Sequence, residues 1–294
     1  MKKARDRVRP KGRAASIAAL GSRTQDPNFP ASAGSALHAS ALIRKLAART
    51  SLSVDELSTL EAFHDQPRSV PRNRNIITEG HKYNVMFTLV DGIAIRHSAI
   101  HSGRRNILNV VLPGDIIGFP ACFFDSALYS VTAVTDVTVA AISFDRFHEL
   151  FSNHPRIGVA IFWLFSCEAA MYAERLIGIT QRSALERVAH FLLELMTRLR
   201  VIGLGDERAF GMPLTQEQMG EILGLTGVHV SRTLRQLRDE GVAVIKRRQV
   251  EIKNFEALSA LGNFERAHFK HLRMSDALLA AHQDKNVEPS GSGV

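Results

Sequence analysis

Residues 214–241 predict two short helices joined by a tight turn; they read LTQEQMGEILGLTGVHVSRTLRQLRDEG. Thr215 can cap the first helix through its hydroxyl, and Gln218 completes a Thr-x-x-Gln capping box. Gly224 lies where that helix must end, because glycine enters the left-handed backbone region without a steric penalty. Gly220, inside the first helix, allows the second helix to approach closely. The pattern predicts a helix-turn-helix.

The second of these helices has an apolar side and a basic side. Thr226 is its candidate N-cap, and apolar residues that should face inward recur at helical spacing. The inward set is Val230, Leu234 and Leu237, and the outward set is Gly227, Val228, His229, Ser231, Arg232, Arg235 and Arg238. Arginine can bind guanine O6 and N7, and valine can touch a thymine methyl group. Because the second helix of this motif enters the DNA major groove, the outward set contains candidate DNA contacts.

A β-hairpin is predicted directly after the helix pair. Residues 242–245 and 250–252 are β-rich, and the turn between them carries Lys246 and Arg247 at a basic tip. A hairpin in this position is the wing of a winged helix, where its tip can touch phosphate. The alternative for the whole stretch is an ordinary helical hairpin with a solvated basic face, and the wing argues against that alternative.

The positions of the charged residues are more informative about a nucleic-acid partner than the total net charge is. The chain has 294 residues, room for two domains, and a formal net charge of +8. Residues 1–13 alone hold seven basic side chains and one acidic side chain. Residues 1–40 lack sustained periodicity, so we predict a disordered basic tail there, and a polar C-terminal tail at 261–294. Net charge alone therefore does not indicate a nucleic-acid partner.

Cysteine and histidine usage assigns no cofactor. Cys122 and Cys167 are the two cysteines; they fit a reducing cytoplasm and are too few for an iron–sulfur cluster, which needs four ligands. Twelve histidines raise the question of haem or another metal. Two pairs have ligand-like spacing, His97 with His101 and His268 with His271. A metal site needs three or four convergent ligands, so we predict none. We also expect no apolar run close to the ~18 residues of a membrane span, and hence no membrane partner.

The residues before the helix pair predict two further elements. Residues 41–63 have a helical pattern, and from 68 to 144 short β-rich segments alternate with turn glycines, which predicts a small antiparallel barrel or jelly roll. From Pro155 a long helix follows that is apolar on most sides. Such a helix must be covered on several faces, so we predict a parallel, coiled-coil-like dimer helix. The alternative is burial of this helix within one subunit.

A β-roll, a long helix and a C-terminal winged helix-turn-helix, in that order, resemble the Crp/Fnr family of bacterial transcription regulators. The most specific similarities are Gly80, Gly92, the run LPGDIIG at 112–118, residues 187–189 and residues 214–241. The resemblance implies an α+β fold: an N-terminal double-stranded β-helix (jelly-roll) domain at 41–154, a long dimerisation helix at 155–182 and a C-terminal winged helix-turn-helix at 183–260. It also implies a homodimer on an inverted-repeat site in double-stranded DNA.

The resemblance carries over unevenly at the two candidate sites. Its base-reading positions fall at Gly227, Val228 and Arg232; the best-known members have Arg and Glu at the first two, so a different target sequence is implied. In members that bind cyclic nucleotides, a Gly-Glu pair serves the ribose and an Arg-Ser or Arg-Thr pair holds the phosphate. This chain has Gly118 with Phe119, and Tyr129 with Ser130, at those positions. Without the bidentate arginine, we predict a degenerate effector pocket that does not bind cyclic AMP in the usual mode.

Three function classes follow. The first is a dimeric, sequence-specific transcription regulator. The second is a ligand-sensing module whose winged helix makes protein rather than DNA contacts. The third is an enzyme, but the sequence has no Gly-rich phosphate loop, metal triad or nucleophile–base motif, so we assign no catalytic residue. By resemblance, the loop at 201–208 can touch RNA polymerase, which favours an activator.

Overall fold

Two short helices precede the β-rich region. The computed structural model describes residues 40–48, 50–62, 67–99 and 105–264, which belong to one unit, Ser35–Val294. Helices α1 (Ala41–Ala47) and α2 (Val54–Ala62) divide the single helical pattern predicted for residues 41–63. The predicted tails fall almost entirely outside the described residues, as do His101, His268 and His271.

Eight antiparallel strands form two four-stranded sheets. They are β1 (Arg68–Val70), β2 (Asn75–Ile77), β3 (Val85–Asp91), β4 (Ala94–Ala99), β5 (Arg105–Val111), β6 (Ile116–Ile117), β7 (Ser130–Ala133) and β8 (Val137–Ser143). The strand orders are β1-β8-β3-β6 and β2-β7-β4-β5, so most sheet neighbours are distant in sequence. This is the predicted jelly roll. Strands β1, β6 and β7 are only two to four residues long, too short to show a period in the sequence.

A short helix and a long one follow the sheets. Helix α3 (Phe144–Asn153) leads into α4 (Pro155–Gln181), which has Pro at its first turn. Near its start, α4 joins the core that contains the N-terminal helix: Ile157 and Ile161 share a core cluster with Leu42 and Leu46 of α1. The domain boundaries placed at 154/155 and 182/183 from the sequence stay predictions.

One stripe of α4 remains uncovered along most of its length. Six residues spaced alternately by four and three positions are all exposed: Phe162, Ser166, Ala169, Ala173, Leu176 and Thr180. This is the heptad spacing of a coiled-coil seam, with small residues at its centre. The chain does not bury this stripe itself, so the alternative of a helix wrapped by its own subunit does not hold for this face.

The same helix corrects one expectation from the sequence. By length and composition alone, α4 is apolar enough to cross a membrane, and it is the one helix of the described residues that passes this test. The expectation that no apolar run approaches a membrane span was therefore wrong. The start of α4 contributes Ile157 and Ile161 to the core cluster that it shares with α1, whereas Phe162 and Ser166 are exposed.

The C-terminal part is a winged helix-turn-helix. Its elements are α5 (Ala184–Val201), β9 (Ala209–Gly211), α6 (Gln216–Leu223), α7 (Gly227–Asp239), β10 (Ala243–Lys246), β11 (Gln249–Ile252) and α8 (Phe255–Leu261). The wing sheet has the order β10-β11-β9. Ser183 and Glu186 form the capping box that opens α5. One core cluster contains Leu192 and Leu195 of α5 together with Ile107 of β5, so the β-roll and the winged helix share a core.

Charged groups largely withdrawn from water hold that junction together. The Asp115 carboxylate accepts from Lys45 of α1 at 2.5 Å and from Arg198 of α5 at 3.1 Å. Arg198 also pairs with Glu194 at 3.1 Å, and Glu194 pairs with Arg175 of α4 at 3.1 Å. Burial alone would raise the pKa of Asp115, but Lys45 and Arg198 hold it below the ordinary 3.8. The pKa of Glu194 is likewise lowered, against burial, by Arg175 and Arg198.

Gly220 fixes the angle between the two helices of the helix-turn-helix. A Cβ atom at Gly220 would lie 2.5 Å from the Leu225 carbonyl oxygen, which belongs to the backbone of the turn. We therefore expect Gly220→Ala to lower the free energy of unfolding by about 1–3 kcal/mol, because the turn must open. Thermal or urea unfolding measures this change.

Gly227→Ala is the matched control in the same motif. A Cβ atom at Gly227 meets only the Glu217 side chain, at 3.6 Å or more. This variant should keep or slightly raise stability, because alanine favours helix more than glycine does. Equal destabilisation of both variants would contradict the close-approach role of Gly220.

Candidate nucleic-acid interface and sensor pocket

Side-chain caps set the two helices of the helix-turn-helix. The Thr215 hydroxyl accepts from the Gln218 backbone N–H at 3.1 Å, and the Gln218 side chain accepts from the Thr215 N–H at 2.9 Å. Gly224 ends α6 with a φ of 65°. The Thr226 hydroxyl then caps α7 by accepting from the His229 N–H at 3.2 Å. These are the caps predicted from the sequence. They leave Val228 and His229, in the first turn of α7, exposed.

The inward face of α7 differs in one position from the prediction. Val230 and Leu237 are fully buried as predicted, but the third buried residue is Thr233, and Leu234 is only half-buried. A threonine at 6% exposure was missed because a polar residue breaks the apolar pattern. The buried face of α7 is therefore centred on Val230, Thr233 and Leu237, and not on the predicted set with Leu234.

The outward face of α7 carries exposed cations. Val228, Arg232 and Arg235 follow one another at helical spacing along one side, all exposed, and Val228 is 61% exposed. Within the described residues, neither Arg232 nor Arg235 has a hydrogen bond or ion pair, whereas Arg238 pairs with Asp239 at 2.8 Å. His229 is exposed, and Gly227 and Ser231 are half-buried. Methyl groups and two uncompensated guanidiniums thus share one helix face.

The wing tip is basic and conformationally strained. Arg247 and Arg248 form the two-residue turn between β10 and β11, with φ of 50° and 61°. Asn-Gly is preferred there because both residues need positive φ. Other L-residues in this region cost roughly 1–2 kcal/mol each. Lys246 and Arg247 are exposed and have no ion pair within the described part of the chain. A costly basic turn indicates a role for its charge.

The predicted effector-pocket residues are divided between two core clusters. Phe119 packs with the cluster that contains α3 and α4, and its ring lies 4.0 Å from the Phe165 ring of α4. Tyr129 packs against the other cluster, inside the β-roll. Gly118 has a φ of 85°, and the Ser130 hydroxyl accepts from the Glu79 N–H at 3.0 Å. Phe119, which the sequence analysis placed at the ribose-acceptor position, makes an aromatic core contact.

An arginine that the sequence did not single out lies beside Tyr129. Arg96 of β4 is 4% exposed; its guanidinium lies 4.6 Å from the Tyr129 ring centroid, pairs with Glu168 of α4 and donates to the Tyr172 hydroxyl at 2.7 Å. Burial alone would lower the pKa of Arg96, but Glu168 and the tyrosines raise it. Burial raises the pKa of Tyr129 to about 12. The buried ion pair of Arg96 with Glu168 thus forms the wall of the pocket beside Tyr129.

Metal ligation finds no support within the described residues, where no three His, Cys, Asp or Glu side chains gather around a point. His97 instead lies 2.7 Å from the Thr132 hydroxyl, and burial lowers its pKa. Its predicted pairing partner, His101, is outside the described residues.

The fold and site together define a class: a DNA-binding protein with a nucleotide-type sensor domain. The family model of the cyclic nucleotide-binding domain matches residues 67–154, and that of the Crp-like helix-turn-helix domain matches residues 186–261. The chain belongs to the Crp/Fnr family of transcription regulators.

The chain is similar to several known proteins. The transcriptional activator protein FnrL of Cereibacter sphaeroides is 29% identical over 208 residues, which cover 69% of this chain and 83% of that protein. The transcriptional activator protein anr of Pseudomonas aeruginosa is 24% identical over 211 residues, covering 72% and 86%. The solved structure of FixK2 from Bradyrhizobium japonicum matches with a TM-score of 0.60 at 24% identity, covering 67% of this chain and 96% of that one. This structural likeness shows the fold.

The wing tip yields a prediction with two opposite effects. Replacing the turn by Arg247→Asn with Arg248→Gly should stabilise the protein by about 1 kcal/mol or more, because both positions need positive φ. The same variant should bind DNA more weakly. The slope of log affinity against log salt should fall by about 0.9 for each phosphate that the protein no longer neutralises. Thermal unfolding and a salt-titrated binding assay measure the two effects.

Arg72→Asn with Arg74→Asn removes two equivalent charges from an exposed loop of the β-roll and serves as the control. It should leave the salt slope unchanged. A wing variant that is stabilised but keeps full affinity and slope would show that the tip does not touch phosphate.

Proposed function

We propose that this regulator reads DNA with α7, using Val228, Arg232 and Arg235, while Thr215, Thr226 and the wing residues Lys246 and Arg247 contact phosphate. The observation that carries the proposal is the pair of exposed guanidiniums on α7 that have no partner among the described residues. Arginine at such a position can bind guanine bidentately, and Val228 can touch a thymine methyl group. Gly227, His229 and Ser231 adjoin this face and complete the proposed contact surface.

The exposed stripe of α4 supports action as a homodimer. A parallel pair of α4 helices would bury this stripe between them, with Ala169 and Ala173 allowing close approach. A two-fold dimer presents two copies of α7 about 34 Å apart, one turn of DNA, which matches an inverted-repeat site. This spacing is the general one for helix-turn-helix dimers, among them the catabolite activator, a member of the same family.

The sensor domain supports a regulator that is not controlled by cyclic AMP. The arginine beside Tyr129 is Arg96, and its positive charge is already matched by the Glu168 carboxylate, so a cyclic phosphate would find no uncompensated cation there. Phe119 fills the position of the ribose acceptor and is packed on Phe165. The proposal therefore includes no nucleotide effector, and it places the protein in the cytoplasm.

Activation of transcription is the direction we propose. In the loop between α5 and β9, Leu204 is 41% exposed, and Glu207 pairs with Arg200 of α5 at 2.5 Å. A loop of this kind on the surface next to the DNA-binding motif is suited to contact RNA polymerase. The alternative, a winged helix that contacts only protein, does not explain exposed cations on both α7 and the wing tip.

Arg232→Ala tests the DNA-reading proposal. On DNA selected by the protein from a random pool, the variant should lose affinity by about 1–3 kcal/mol, roughly 5- to 150-fold, and lose base preference at one position of each half-site. A binding titration at fixed salt, repeated on each single-base variant of the site, measures both. Added cyclic AMP should leave the wild-type affinity unchanged.

Arg238→Ala is the control on the same helix, because Arg238 is already paired with Asp239. It should change affinity little. If both variants behave like the wild type, or if the wild type shows no preference over random DNA, α7 does not read sequence.

Leu176→Glu tests the dimer seam. Leu176 is 65% exposed in the single chain, and a carboxylate there would be forced into an apolar interface next to its own symmetry copy. We expect the variant to be monomeric by light scattering and to lose DNA affinity.

Leu128→Glu makes the same change at a β-roll residue that is 55% exposed and lies off the seam. It should remain dimeric. A dimeric Leu176→Glu variant would place the subunit interface elsewhere.

A further inference from the structure

A large cleft lies where α1, the β-roll, α4 and α5 meet. Its empty space, counting the part that is open to solvent, is about 870 Å³. Its lining includes Trp163, Phe165 and Met171 of α4, and Thr197 of α5. None of the four predicted effector-pocket residues lines it. The cleft is therefore distinct from the nucleotide-type pocket beside Tyr129.

One row of cleft residues lies on the side of α4 opposite the dimer seam. Cleft residues Leu164, Cys167 and Met171 follow one another at i, i+3 and i+7. At 3.6 residues per turn this row lies about half a turn away from the exposed stripe that includes Ala169 and Ala173. A partner helix on the seam would leave this row open, whereas Phe165 of the cleft lies next to the stripe, three positions after Phe162 and four before Ala169.

The charges around the cleft are already matched to one another. Lys45 and Arg198 both pair with Asp115, and Glu168 pairs with Arg96. Four of these charged groups line the cleft: Lys45, Asp115, Glu168 and Arg198. Each already has a partner of opposite charge, so an ionic ligand would find no uncompensated charge among them. The tryptophan, phenylalanine and methionine side chains of the wall favour apolar contact instead. The chemistry points to an uncharged ligand.

We propose that this cleft is a binding site for a small, uncharged aromatic molecule that packs against Trp163 and Phe165. Its position gives the ligand contact with three elements at once: the sensor domain through Asp115, the dimer helix through Met171 and the winged helix through Thr197. A ligand bound in the cleft would thus contact the junction between the sensor domain and the DNA-binding motif.

The site can be tested without DNA, so the result does not depend on the proposed function. The probe is 2-naphthol, an uncharged bicyclic aromatic at neutral pH, titrated calorimetrically into the full-length protein. We expect saturable binding of one molecule per subunit. Thr197→Phe should abolish it by filling the cleft, and Thr197→Val, which keeps the side-chain volume, should retain it.

The two cysteines provide a second readout in the unmodified protein. Cys167 lines the cleft and Cys122 does not. Bound 2-naphthol should slow alkylation of Cys167 by N-ethylmaleimide, measured by mass spectrometry, while the rate at Cys122 stays the same. Absence of saturable binding, binding without protection of Cys167, or equal protection of both cysteines would each overturn the proposal. This readout remains decisive even if Thr197→Phe fails to fold.

Discussion

The charge balance around Asp115 is the constraint on which the arrangement of the molecule depends. Lys45 and Arg198 reach this carboxylate from α1 and α5, and Glu194 links Arg198 to Arg175 of α4. Removing one partner of a buried pair costs about 3–5 kcal/mol, because the other charge is left uncompensated. The pairs therefore favour one relative position of sensor, dimer helix and winged helix. They specify the junction more than they stabilise it, since apolar residues can stabilise a core equally well.

A fixed junction matters because a dimeric reader must hold two recognition helices at a defined spacing. The shared core around Leu192 and Ile107 and the two-point contact of Arg105 with Glu221, at 2.9 and 3.1 Å, join the β-roll to α5 and α6. Any change in the sensor that moves β5 must therefore move α6, and with it α7. Local packing of the sensor is thus connected to the geometry that DNA would meet.

The sequence was most informative where structure is local. The capping box at Thr215 and the helix end at Gly224 each depend on residues within a few positions, and both appear as predicted. Contacts between distant residues were out of reach: Arg96 and Glu168 are 72 positions apart, and Asp115 reads as an ordinary turn residue. Thr233 was missed because its burial is decided by packing against the core. The spacing of residues in the sequence does not show which charged side chains pair in the folded structure. This pairing decides what the sensor can bind.

The distribution of paired and unpaired charge separates a functional basic face from a merely solvated one. Inside the molecule, Arg96, Arg175 and Arg198 each meet a carboxylate, because burying an uncompensated charge is costly. On α7, Arg232 and Arg235 lie beside a largely exposed valine, and at the wing two arginines accept an unfavourable backbone conformation. A solvated surface would not require the valine or the strained turn. A surface that meets phosphates and a base edge requires both positive charge and a methyl group, and the exposed face of this motif supplies them together.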